Sequence, residues 1–218
     1  MKLFVFDVDG TLVDSQHHIH SAMSHAFQAA GLVPLPKAEV LQIVGLSLPV
    51  AVQRLLPDAD PATQDRVVAG YKAAFNMARL DAAPPLYPGA LDCLDALAAR
   101  DDWLLAVATG KSRRGLNAMI EAHGLQGRFA SLQTADDHPS KPHPSMMLTA
   151  LAETGLDARD AVMIGDTSFD MQMGVAAGMT AIGVGWGYHD AALLTGTGAA
   201  EVAGDFAGLT RALQRWAA

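Results

Sequence analysis

The stretch Leu3-Phe4-Val5-Phe6-Asp7-Val8-Asp9-Gly10-Thr11 decides how the chain is read. Residues 3–8 form a short apolar run with Phe and Val that breaks into acidic residues, the pattern of a buried parallel strand ending at a polar sheet edge. Residues 103–108, 161–164 and 180–184 look alike, and 129–132 is a further candidate strand. Between them, apolar residues recur at helical spacing. Leu116, Met119, Ile120 and His123 stop at Gly124; Leu91, Leu94, Leu97 and Ala98 follow Pro88; Met147, Leu148, Leu151 and Ala152 stop at Gly155. Proline suits a first helical turn, and glycine takes the left-handed conformation that closes one. Strands alternating with helices predict an α/β fold, a Rossmann-like parallel sheet covered on both faces.

The alternation breaks between residues 15 and 84. Ile19, Ala22, Met23, Ala26, Phe27 and Ala30 trace one helical stripe, closed by Gly31, and Val67, Val68, Tyr71, Ala74, Phe75 and Ala78 trace another. The segment ends in Ala83-Pro84-Pro85-Leu86-Tyr87-Pro88-Gly89, a proline-rich boundary. The expected organisation is a core of residues 1–14 and 85–218 with an all-helical insert over 15–84.

Composition narrows the function. The 218 residues carry 15 Lys plus Arg against 23 Asp plus Glu, a net charge of −8, so no overall field draws nucleic acid. A lone cysteine, Cys93, excludes a disulfide framework and a cysteine metal cluster, and its place beside Leu94 and Leu97 reads as core. The apolar run at the start is too short for a signal-peptide core, and no stretch is long enough to cross a bilayer. A cytoplasmic protein, monomer or homodimer, is expected.

In an open parallel sheet, ligands gather beyond the carboxyl ends of the strands. The reactive residues of this chain fall there. Asp7 and Asp9 end the first run, and alternate residues of an extended strand can share one side. Two carboxylates at one site repel unless a cation intervenes; an aspartate-rich turn is the plainer alternative. Thr109, Gly110 and Lys111 follow the second run and could hold phosphate oxygens at a strand-to-helix junction, or simply cap a helix with a solvated lysine. Lys141 sits in a polar loop where lysines are usually solvated. Asp166 and Asp170 follow 161–164 and offer the oxygens a hard cation prefers, or a helix cap. Two nucleotide motifs fail on one residue each: a P-loop before Lys111 would need glycine at Leu105, and Gly183-Val184-Gly185-Trp186-Gly187 would need glycine at Tyr188.

Taken in order, Asp7-Val8-Asp9-Gly10-Thr11, Thr109, Lys141 and Gly165-Asp166 with Asp170 resemble the motifs of the haloacid dehalogenase-like hydrolases. Asp14-Ser15, Pro88-Gly89, the Lys-Ser-Arg-Arg-Gly run from Lys111 and Gly185-Trp186-Gly187-Tyr188 make the chain similar to the phosphoglycolate phosphatase group, whose helical cap the insert matches. The resemblance implies a magnesium-dependent phosphatase acting on a small phosphorylated metabolite. Asp7 would be the nucleophile and Asp9 the acid and base. Mg2+ would be held by Asp7, Asp166 and the Asp9 backbone carbonyl, with Asp170 acting through a second layer or a water. Thr109 and Lys141, with Gly10 and Gly110, would hold the phosphoryl oxygens.

Other readings carry less. A receiver domain places its acidic pair before the phosphorylated aspartate and lacks the insert, a carbon–halogen hydrolase lacks Asp9, and a sugar phosphomutase shares all four motifs. His17, His18, His20 and His25 read as exposed insert positions. Arg54 and Arg79 are candidates to reach substrate from the insert, and the loop over residues 43–48 is expected to meet it on closure.

Overall fold

The computed structural model describes residues 1–218, apart from the side chains of Leu80 and Asp81. The strands are β1 Lys2–Phe6, β2 Trp103–Thr109, β3 Ser131–Thr134, β4 Ala161–Gly165, β5 Thr180–Val184 and β6 Glu201–Ala203. They form one six-stranded sheet in the order β3-β2-β1-β4-β5-β6, every neighbouring pair parallel. The helices are α1 Gln16–Ala29, α2 Lys37–Leu41, α3 Leu48–Leu55, α4 Pro61–Asp81, α5 Ala90–Ala98, α6 Arg113–Ala122, α7 Ser145–Thr154, α8 Ser168–Ala176, α9 Ala191–Gly196 and α10 Phe206–Ala217. The α/β architecture is the one the alternation predicts.

The period-two alternation of a strand explains the two cores. Phe4 and Phe6 of β1 join Leu105, Val107, Val162 and Ile164 against α5, α6 and α10 on one face. Leu3 and Val5 join Ala106, Ala108 and Met163 against Met146, Met147 and Met173 of α7 and α8 on the other. Phe4 alone, with both sides covered, would lose about 3–5 kcal/mol on truncation to alanine. Cys93 is buried in the first of these cores, as predicted.

Several boundaries differ from the sequence reading. β1 stops at Phe6 because the Val8 carbonyl accepts from the Leu12 and Val13 amides at 2.9 Å each, turning the chain. β3 covers residues 131–134, since pairing with β2 starts only after the Ala130 amide reaches the Leu105 carbonyl at 2.8 Å. Leu91 and Leu148 face water, 41% and 52% exposed, and Cys93 and Met146 take their places on the buried sides.

Helices α1 to α4 lie between β1 and α5 and have an apolar cluster of their own, with Ile19, Met23, Phe27, Val40, Val52 and Val67. Asp60 caps α4 by accepting from the Thr63 amide. Gly70 lets α4 press on α1, since a Cβ there would lie 3.2 Å from the Ala26 Cα. The chain enters and leaves this segment side by side: the Asp14 amide donates to the Pro85 carbonyl and the Tyr87 amide to the Leu12 carbonyl, both at 2.9 Å. Among the described residues, no helix is long and apolar enough to cross a membrane.

Candidate active site

β1 lies at the middle of the sheet, where the strand order reverses direction between β1 and β4, and crevices form at such points. The Asp7 amide donates to the Ile164 carbonyl at 2.9 Å, which sets Asp7 beside Gly165 and Asp166. Asp7, Asp166 and Asp170 are buried, and one carboxylate oxygen from each lies within 4.8 Å of the others. Lys141, far from the solvated loop lysine considered above, is fully enclosed. Its Nζ donates to Oδ1 of Asp7 and to Oδ1 of Asp170, each at 2.6 Å. The remaining Asp7 oxygen, Oδ2, is buried with no hydrogen-bond partner.

Each acidic neighbour is held by its local backbone. Asp170 is the third residue of α8 and forms a capping box: Thr167 donates to its Oδ2 through the amide at 3.0 Å and the hydroxyl at 2.7 Å. That spends Oδ2 on the helix start and leaves Oδ1 for Lys141. Asp166 accepts from the Thr11 hydroxyl at 2.8 Å and the Tyr188 amide at 2.9 Å. Two glycines make room for it. At Gly10, with φ of 87°, a Cβ would fall 2.2 Å from Asp166 Oδ2, and at Gly187 a Cβ would fall 2.1 Å from the Asp166 Cβ.

Three buried carboxylates thus face one buried ammonium. Burial pushes the Asp7 carboxyl up to about 7, with Lys141 pulling it down and Asp170 pushing it further up. Burial, reinforced by Asp7 and Asp170, holds Asp166 well above the usual carboxylate range. Burial works against the Lys141 charge, but Asp170 and Asp7 more than offset it and keep the ammonium protonated. Carboxylate oxygens alone are the donor set of a hard divalent cation, and an unpartnered buried oxygen at such a cluster fits one.

Asp9 stands at the edge of the same cluster. Ser15 Oγ donates to its Oδ1, Tyr188 OH lies 3.1 Å from Ser15 Oγ, and Lys111 Nζ is 2.8 Å from its Oδ2. Thr109 is buried, and its hydroxyl accepts from the Lys111 amide at 3.2 Å. Gly110 presses on the insert: a Cβ there would meet the Gly45 and Leu46 carbonyl oxygens at 2.6 Å.

Asp7, Asp9, Thr109 and Gly110 open onto a cavity of about 530 Å³, closed on its other side by Phe75, Arg79 and residues 43–48 of the insert. The 43–48 loop, expected to meet substrate, is therefore part of the wall. It is tied down by the Ser47 amide, which donates to Ser140 Oγ at 2.9 Å, and by His189, whose Nδ1 accepts from the Ser168 amide while Nε2 reaches the Gln42 carbonyl at 3.1 Å. Arg79 lines the cavity; Arg54 instead stacks over Phe169, 5.1 Å from its ring centroid. Among the described residues, no set of three His, Cys, Asp or Glu side chains other than Asp7, Asp166 and Asp170 converges this way, so the histidines near residue 20 form no such site.

Every residue singled out in the four sequence segments reaches this place. Lys111 is among them, and two residues marked only by the resemblance, Ser15 and Tyr188, do as well. Lys111 overturns the solvated-cap alternative, because its side chain is only 12% exposed and spans to Asp9.

Comparison with known proteins agrees with this geometry. Residues 4–184 match the family described as haloacid dehalogenase-like hydrolase. A protein of Dickeya dadantii named "Probable phosphatase IndB" is 40% identical over 193 residues, 86% of this chain and 82% of its own. A phosphoglycolate phosphatase of Agrobacterium fabrum is 32% identical over 97% of this chain and 91% of its own. A crystal structure of a hydrolase from Pseudomonas syringae superposes with a TM-score of 0.89 over the whole of both chains, at 25% identity. With its acidic cluster, its buried lysine and a match across most of its length, this chain belongs to the haloacid dehalogenase-like hydrolases.

Proposed function

We propose that the protein is a magnesium-dependent phosphatase that hydrolyses a small phosphate monoester through an aspartyl-phosphate at Asp7. The observation that carries this is the Asp7 carboxylate itself: one oxygen is bound to Lys141, and the other is buried, unpartnered and beside the cavity. The names of the Dickeya and Agrobacterium relatives support the reaction class.

Asp7 and Asp166, with the Asp9 backbone carbonyl, would hold the ion, and Asp170 would support them through Lys141. When bound, the ion supplies positive charge that lets a carboxylate approach an anionic phosphoryl group. The chain's own groups do the rest. Asp7 bonds to phosphorus as the bond from phosphorus to the ester oxygen breaks, and Asp9 gives that oxygen its proton. Asp9, now a carboxylate, takes a proton from a water whose oxygen bonds to phosphorus while the Asp7–phosphorus bond breaks. One residue serves both halves because the covalent intermediate separates them in time. Thr109 and Lys141, beside the backbone at Gly10 and Gly110, hold the phosphoryl oxygens, and catalysis is chiefly positioning and charge neutralisation.

Residues 15–84 act as a cap over the core formed by 1–14 and 85–218. The paired backbone at Asp14–Pro85 and Leu12–Tyr87 supports a hinge there, and closure would expel water from the site. The substrate is a small phosphorylated metabolite, phosphoglycolate being the leading candidate by name of the relatives. The test is phosphate release from a panel of phosphorylated metabolites with and without magnesium. Release that requires the metal is expected. No release from any monoester, or bisphosphate-primed isomerisation without net release, overturns the reading.

A further inference from the structure

Asp9 is aimed by two separate elements. Ser15, at the start of α1, holds Oδ1, and Lys111, just beyond β2, holds Oδ2 at 2.8 Å. Lys111 is itself seated by the insert, with Nζ 4.9 Å from the Phe75 ring centroid on α4, a distance at which a cation is drawn to a ring face. We propose that Lys111 is a positioning residue for the proton transfers of Asp9, and that Phe75 sets Lys111, so that the docking of α4 determines where Asp9 points. This rests on the phosphatase reading above.

An aspartate side chain turns about two bonds. One hydrogen bond from Ser15 still lets the carboxylate swing about that contact. A second donor on the other oxygen removes this freedom. Proton transfer needs the acid within hydrogen-bond reach of the leaving oxygen as its bond to phosphorus breaks. The lysine is therefore expected to matter in proportion to how much that oxygen needs a proton. A nitrophenolate leaves without one, whereas an alkoxide does not.

The experiment compares kcat/KM for p-nitrophenyl phosphate and for an alkyl ester, glycerol 3-phosphate or 2-phosphoglycolate, in the wild type and Lys111→Met. The variant is expected to lose at least about tenfold more on the alkyl ester than on the aryl ester, given that acid–base groups contribute on the order of 10²–10⁴. Lys111→Arg should recover most of the ratio, and Phe75→Leu should shift it the same way to a smaller extent. An equal fall on both esters, or an unchanged ratio, overturns the positioning role. A wild type that releases phosphate from neither ester nor from any other monoester of the panel with magnesium present sinks the phosphatase reading instead.

Discussion

Lys141 Nζ sits 2.6 Å from Oδ1 of Asp7 and leaves Oδ2 of the same carboxylate buried and without a partner. The lysine fixes the plane of the nucleophilic carboxylate and neutralises part of its charge. Asp7→Asn keeps the shape and removes the carboxylate's nucleophilicity. Turnover should fall by several orders of magnitude, about 10⁴ or more, with the fold intact by circular dichroism. Activity near that of the wild type would end the mechanism.

Lys141 also holds Asp170, so its removal strands two buried carboxylates. Breaking a buried pair by deleting one partner costs about 3–5 kcal/mol. Lys141→Met should lose that much stability in denaturant at pH 8 without metal. The loss should be smaller at pH 6, where Asp7, raised to about 7, carries a proton.

Metal removal should show a matching dependence on pH. The Asp7 carboxyl is raised from 3.8 to about 7 in the folded protein, so the folded state binds its proton more tightly than the unfolded chain does. The stability this gives is full below about pH 4, declines as the pH climbs, and is gone above about 7. A divalent cation at the cluster replaces what is lost. The rise in Tm on adding magnesium to chelator-treated protein should grow from pH 5.5 to pH 8. A rise of constant size, or none, would contradict a cation held by Asp7.

Gly187 tests how tightly Asp166 is packed. Its missing side chain leaves room for the Asp166 Cβ, and a methyl group would fall 2.1 Å from that atom, which is anchored to the backbone and cannot move aside. Gly187→Ala should cost about 1–3 kcal/mol in unfolding free energy, as overpacking does. It should also weaken the activation by magnesium, measured by titrating the metal. Gly204→Ala is the control for a crowded glycine, since its φ is not positive and a Cβ there meets nothing within 4 Å.

The sheet was legible because β1, β2, β4 and β5 are buried on both faces, and such strands read as unbroken apolar runs. β6 escaped because it is three residues, Glu-Val-Ala, with one buried side chain. Leu148 misled because α7 turns its Met146 and Ala150 inward, and spacing alone does not choose between adjacent faces. At the site, Asp7, Asp9, Asp166 and Asp170 announced themselves as charges at strand ends. Lys111 was marked only as a phosphate holder or a helix cap, and Ser15 and Tyr188 only as signs of the resemblance, since a hydroxyl or a lysine in a loop is ordinary until the fold aims it. Tyr188 acts partly through its amide, which no side-chain pattern marks. The Lys111-to-Asp9 contact joins residues about a hundred positions apart, and only the parallel pairing of β1 with β2 brings them together.

The most direct test is to quench the enzyme in acid during turnover with a phosphate ester and map the phosphorylated residue by peptide mass spectrometry. With p-nitrophenyl phosphate, whose leaving group needs no proton, Asp9→Asn should raise the trapped fraction by slowing hydrolysis of the intermediate. The phosphoryl group is expected on Asp7, in the peptide containing Asp7-Val8-Asp9. Phosphate release with the label on another residue, or with no labelled protein in either form, would contradict the account.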